Sequence, residues 1–206
     1  MMPAFVAMFL LLAGGAAAYA WYRLAQPFVT ASQAPPAGAA ASPDRLKQHV
    51  RKLSVDFAGR SFDNPAQLDG AARYIESEFA ALGLAVQSQR FNARGRPYRN
   101  LVAALGPDTR EVLVIGAHYD VANDEPGAED QPGAKDQRGA KDQPGADDNA
   151  SGVAGLIELA RLLKNQPLRQ RIELVAFANE EPPFFRTPGM GSAVHARSRL
   201  RAGAPR

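Results

Sequence analysis

Three short stretches carry the residues whose types could do chemistry together: His118 and Asp120 in GAHYD, Asp148 in PGADDNASG, and Glu180-Glu181 in FANEEPPFF. One imidazole and several carboxylates are ligands for a hard-to-borderline divalent cation, zinc foremost, provided the chain brings them to one place. The i, i+2 spacing of His118 and Asp120 lets the aspartate accept the other imidazole N–H and fix its tautomer. Adjacent glutamates at a strand end point to opposite sides, so one can bind metal while the other holds a water. Each feature has a plainer alternative. A lone strand-end histidine is more often structural or solvated, and paired glutamates usually mark a wet face, although here they follow the apolar run LVAFAN and precede PPFF. Asp147 reads as a solvated or helix-capping acid, and His49, on a charged helix, as a surface residue.

From Pro126 to Asn149 the chain repeats one six-residue phrase four times, with Asp130, Asp136, Asp142 and Asp148 at the fifth place of each copy. Calcium-binding repeats stack through apolar positions that build a core, whereas this unit has nothing larger than alanine to bury, and Lys135 and Lys141 oppose a cation. Only the last copy runs on into Asn149-Ala150-Ser151-Gly152 and a helix. Asp148 is therefore the functional copy, and 126–143 is a loop expansion whose closure entropy grows only logarithmically with length.

The elements that must position these residues follow from periodicity. EVLVIGAHYD (Glu111 to Asp120) is apolar nearly throughout, as a central strand covered on both faces would be. SGVAGLIELARLLK reads as a helix and Arg171 to Glu181 as a second buried strand. Strand, helix, strand implies a parallel βαβ unit, and functional groups gather at the carboxyl ends of such strands. All three stretches should meet there. Upstream, Ser42-Pro43-Asp44 opens a helix carrying Leu46, Val50, Leu53 and Phe57. A second helix spans Pro65 to Leu82 with Leu68, Ala72, Ile75 and Phe79 on one stripe and Gly83 as its stop, and LAVQSQRF turns through Gly95-Arg96-Pro97 into YRNLVAALG as a hairpin. The fold class expected is α/β, with a mixed, largely parallel central sheet and helices on both faces.

Pro3 to Tyr22 carries no charge and is long enough to cross a membrane as a helix. Residues 1–24 are expected to form a transmembrane anchor or a signal peptide, placing the remainder facing the periplasm or extracellular side, or secreted. An Ala/Pro-rich linker over 25–42 and a domain over 43–206 follow. The net charge of +3 is too dispersed for nucleic acid, and the absence of cysteine excludes disulfides and thiolate chemistry. The last residues, SRLRAGAPR, read as a basic tail without pattern.

The ordered set GAHYD, PGADDNASG and FANEEPPFF resembles the zinc aminopeptidases of peptidase family M28, from about Asp44 to Ser198. The resemblance implies a three-layer zinc-exopeptidase sandwich holding two Zn2+ ions. His118, Asp148 and Glu181 would be metal ligands, with Asp148 bridging. Asp120 and Glu180 would be the catalytic residues, Glu180 as general base. The reaction it implies is removal of N-terminal residues from peptide substrates. The family also uses an aspartate beyond the glutamate pair and a histidine near the domain's end. No acidic residue follows Glu181, and His195 matches the helix after the pair. The chain is thus expected to be truncated on its C-terminal side, its sheet incomplete, and weakly active or inactive. A glutaminyl-cyclase-like acyltransferase with one zinc, disfavoured by the Asn-x-Ser-Gly after Asp148, and a non-catalytic remnant are the alternatives.

Overall fold

The computed structural model of the chain describes residues 4–25, 40–122, 144–201 and 203. The repeat over 126–143 and most of the linker lie outside the described residues. The chain divides into two units, Met1–Ala39 and Ala40–Arg206.

In the first unit, Ala4–Ala25 forms helix α1. No helix among the described residues is long and apolar enough to cross a membrane.

In the second unit, α2 (Pro43–Arg51) begins where Ser42 Oγ accepts the Arg45 N–H at 3.4 Å, the cap expected of Ser-Pro-Asp. The Ser42 N–H in turn reaches Glu158 Oε1 at 2.7 Å. After a wider helical turn over Lys52–Asp56, α3 (Pro65–Ala81) buries Leu68, Ala72, Ile75 and Phe79, the stripe read from the sequence. Gly83, at φ +80, ends it. Strands β1 (Val86–Ala93) and β2 (Arg96–Leu105) pair antiparallel around a two-residue turn, Arg94-Gly95, both with positive φ. The turn thus lies earlier than Gly95-Arg96-Pro97. Pro97 sits inside β2 without cost to the sheet's other side, because β4 joins β2 only from Leu101 onward.

Strand β3 (Val112–His118), helix α4 (Ser151–Leu163) and strand β4 (Arg171–Phe177) form the expected parallel βαβ unit, with Val112 opposite Arg171 and His118 opposite Phe177. The sheet order is β1-β2-β4-β3. The sheet is mixed, as expected, and its parallel part is this one pairing; β1–β2 and β2–β4 are antiparallel. β4 is the strand buried on both faces, from Ile172 to Ala176. β3, expected in that role, stands at the edge of the described sheet with Leu113 44% and Val114 40% exposed. An apolar run records which residues favour burial, not which neighbour is at hand to bury them.

Leu53, Phe79, Leu101, Val153, Ile157 and Leu174 form the core under α2, α3 and α4. Helix α5 (Gly191–Arg201) covers the other face: Glu173, which alternates with Leu174, accepts from Arg199 at 3.3 Å and lies 3.3 Å from His195. Ser198 to Arg201 are therefore helical, not a patternless tail. His49 is buried, with Nδ1 2.6 Å from Tyr74 Oη, which corrects its surface reading; burial holds its pKa below the usual value. Asp44, Lys47 and Arg51 of α2 stay exposed, and a histidine can join an apolar stripe once its nitrogen has a partner.

Candidate metal centre

Parallel pairing of β3 with β4 brings their carboxyl ends side by side, so His118, the last residue of β3, stands next to the segment leaving Phe177. Fully buried Asn179 adopts a left-handed backbone at φ +58, which asparagine tolerates, and Glu180-Glu181 follow. The Glu181 carbonyl accepts the Phe184 N–H at 3.0 Å, and the Phe184 ring packs edge-on against Phe62 and Tyr98 at 5.8 and 5.4 Å. Burying that ring anchors the turn that carries the glutamates.

Asp120 is buried and fastens this segment. Its Oδ1 accepts the Glu180 N–H and its Oδ2 the Glu181 N–H, both at 3.1 Å. His118 Nδ1 lies 3.2 Å from the Asp120 backbone carbonyl and 3.6 Å from Oδ1. Asp120 thus meets the imidazole through its main-chain carbonyl and, at longer range, through the carboxylate that also accepts the two glutamate amides. In the neutral form that a metal ligand must take, a proton on Nδ1 leaves the Nε2 lone pair on the side of the other acids.

Asp148 comes from the irregular turn Ala146–Ala150 that opens α4. The Asp148–Asn149 peptide is cis. Asn149 Oδ1 accepts the Gly152 N–H at 2.9 Å, capping the helix, and a Cβ on Gly152 would lie 2.3 Å from that oxygen. The Asn-x-x-Gly spacing is thus a cap and the space it needs. Gly145, at φ +50, turns the chain into this loop; a Cβ there would lie 2.2 Å from Val121 Cγ1 and 2.6 Å from Asp148 O.

His118 Nε2 stands 2.9 Å from Asp148 Oδ1 and 3.7 Å from Glu180 Oε2. Ligand atoms of His118, Glu180 and Glu181 lie within 4.8 Å of one another. The three sequence stretches meet as expected, while Asp147 stays exposed on the loop. Asp148 is the most open of the set, with its side chain 74% exposed. Burial by itself would lower the His118 pKa, but Asp120, Glu180 and Asp148 override it and raise it to about 9. Burial, reinforced by neighbouring carboxylates, raises Glu180 and pushes Glu181 up to about 7. A group of acids that resists ionising together, around an imidazole that holds its proton, is a site short of positive charge. One imidazole nitrogen and carboxylate oxygens at these separations fit zinc.

Sequence reasoning missed Arg60, which is fully buried beside this cluster with its guanidinium bonded to main-chain carbonyls on either side of the repeat. Nothing in AGRSFDN marks it: it has no periodic partner, and its acceptors are backbone atoms distant in sequence.

The α/β sheet that carries this histidine and these carboxylates at its strand ends is similar to zinc-exopeptidase folds. Residues 100–200 match the model of Peptidase family M28, in agreement with the resemblance read from the three motifs. The chain is 44% identical over 181 residues to the uncharacterized protein YfbL of Escherichia coli K12, covering 84% of this chain and 50% of that protein. It is similar to the crystal structure of Fimbriiglobus ruber glutaminyl cyclase, with TM-score 0.64 and 25% identity over 87% of this chain and 61% of that one. A Zn-dependent exopeptidase from Parabacteroides distasonis shares the fold at TM-score 0.54 and 23% identity over 78% of this chain and 54% of that one. The chain thus spans about half to three fifths of the length of these relatives.

Proposed function

We propose that this chain is part of a zinc-dependent hydrolase that removes N-terminal residues from peptides. The observation that carries this reading is the convergence of His118, Asp148, Glu180 and Glu181 at one edge of the sheet. His118, Asp148 and Glu181 would hold the metal, and the M28 resemblance calls for two ions. Zinc, when bound, supplies Lewis acidity toward the scissile carbonyl.

The chain's own residues do the remaining work. Glu180, half-buried and with a pKa raised by burial and by Asp120 and Asp148, is suited to accept a proton from the attacking water. The water oxygen bonds to the carbonyl carbon, the C–N bond breaks, and Glu180 returns the proton to the departing amine. Asp120 keeps Glu180 and Glu181 in register by holding both backbone amides. The imidazole of His118 is oriented through Nδ1.

The purified 206-residue chain, loaded with zinc, tests the reading against aminoacyl-nitroanilides and peptides with N-terminal glutamine. Slow, chelator-sensitive release of free amine that is lost in Glu180→Gln is expected; turnover should be weak, because no acidic residue beyond Glu181 adds to the ligand set. Pyroglutamate formation without amine release would move the reaction to acyl transfer. Failure to bind zinc would leave a non-catalytic module.

A further inference from the structure

We infer that Arg60 is a positioning residue that clamps the Asp148 loop to the end of β3 and insulates the metal centre from the repeat inserted between residues 122 and 144. This rests on the metal-site reading above. The Arg60 side chain is fully buried and makes no hydrogen bond to a carboxylate. Nε donates to Tyr119 O at 2.8 Å, Nη1 to Leu53 O at 3.0 Å and Pro144 O at 2.8 Å, and Nη2 to Gly145 O at 2.8 Å. The Arg60 carbonyl accepts the Val121 N–H at 3.1 Å.

One residue therefore holds the chain just before the insertion, at Tyr119 and Val121, and just after it, at Pro144 and Gly145. Tyr119 lies between His118 and Asp120, and Gly145 leads into Asp148, so both ends of the clamp abut proposed site residues. A buried guanidinium is costly unless its donors are met, and here four are met by fixed carbonyls. Only a planar fork reaches all of them at once; a lysine ammonium in the same place is a single point. Burial lowers the pKa of Arg60 to about 10, so it remains a cation at neutral pH.

Insulation follows from this geometry. Each doubling of a free loop lowers its closure constant about threefold. With residues 119, 121, 144 and 145 all held by Arg60, the closure cost of the chain joining them is not passed on to Asp148. With the clamp removed, the same entropy acts on the position of Asp148.

Zinc affinity in four chains measures the coupling: the parent, Arg60→Lys, a deletion of 131–142, and the combination. The deletion alone is expected to leave affinity within twofold. Arg60→Lys should weaken it by about 10–100-fold, the usual cost of losing a residue that orients a ligand, and in that background the deletion should recover about two- to threefold. A deletion that shifts affinity in the parent, or an Arg60→Lys chain that folds and binds zinc as the parent does, overturns the inference. Should Arg60→Lys fail to fold, amide hydrogen exchange decides it: Val121 and Ala150 must keep their protection when 131–142 is removed from the parent, and loss of that protection refutes the clamp. His118→Ala is the separate control, since unchanged zinc binding there would reject the metal-site reading and leave the exchange result standing.

Discussion

Gly145 and Gly83 both adopt positive φ, at +50 and +80, yet they differ in what surrounds them, and replacing each by alanine isolates the Asp148 loop. At Gly83 nothing lies within 4 Å of an added Cβ. Gly83→Ala therefore bears only the left-handed backbone cost, about 1–2 kcal/mol. At Gly145 the same methyl would stand 2.2 Å from Val121 Cγ1, 2.6 Å from Asp148 O and 3.0 Å from Arg60 Nη2. Two of these neighbours are held in place, Asp148 O by the backbone and Arg60 by its carbonyl partners, so relief must come from moving the loop. Overpacking of this kind adds about 1–3 kcal/mol. At about 2–4 °C per kcal/mol for a domain of this size, Gly145→Ala should melt about 2–12 °C below Gly83→Ala. Thermal unfolding followed by circular dichroism gives that difference. Zinc titration gives the functional half: Gly83→Ala should bind as the parent, and Gly145→Ala about tenfold or more weakly, because Asp148 has been displaced. Equal melting temperatures with equal zinc affinities would refute the account of how the loop is positioned.

Two further outcomes follow from the buried acids. Glu158, with its side chain 3% exposed, is hydrogen-bonded by Arg161 and the Ser42 N–H, which hold its carboxyl below the ordinary value of 4.5. Its contribution is full above that pH and declines as pH falls through the lower folded-state value. Glu158→Gln should thus cost about 1–3 kcal/mol at pH 7, with the gap to the parent in urea denaturation narrowing below pH 4.5; a gap constant across that range would contradict it. Asp120→Asn turns a donor toward either the Glu180 or the Glu181 amide, both of which need an acceptor. Zinc binding should weaken about 10–100-fold in calorimetric titration while His118→Ala, combined with it, adds less than its separate effect, since the two act on one cluster.

The convergence of the site was legible because it depends on few facts: two apolar runs joined by a helix must lie parallel, and their carboxyl ends then coincide. That Asp148 would stand at the start of a helix was legible for a similar reason, since only the last copy of the repeat runs on into one. What escaped reading depends on partners remote in sequence. His49 is buried because Tyr74, on another helix, offers an oxygen. Arg199 looked like part of an uncompensated basic tail, but its acid, Glu173, lies on the inner strand of the sheet. Asp120 stands beside the imidazole as expected, Oδ1 3.6 Å from Nδ1, but that its oxygens also accept two backbone amides beyond the end of the neighbouring strand had no sequence signal. The burial of β3 was overestimated because apolar composition says nothing of strand order.

That edge position gives β3 a second significance. Among the described residues no strand pairs along its outer flank, so its free amides and carbonyls form a template for another strand. The same strand terminates in His118. A chain adding to the flank would restrict the backbone that carries the imidazole, and by reciprocity a metal ion bound to that imidazole would change the affinity of the flank. Any association along β3 would therefore be thermodynamically linked to ion occupancy at its tip.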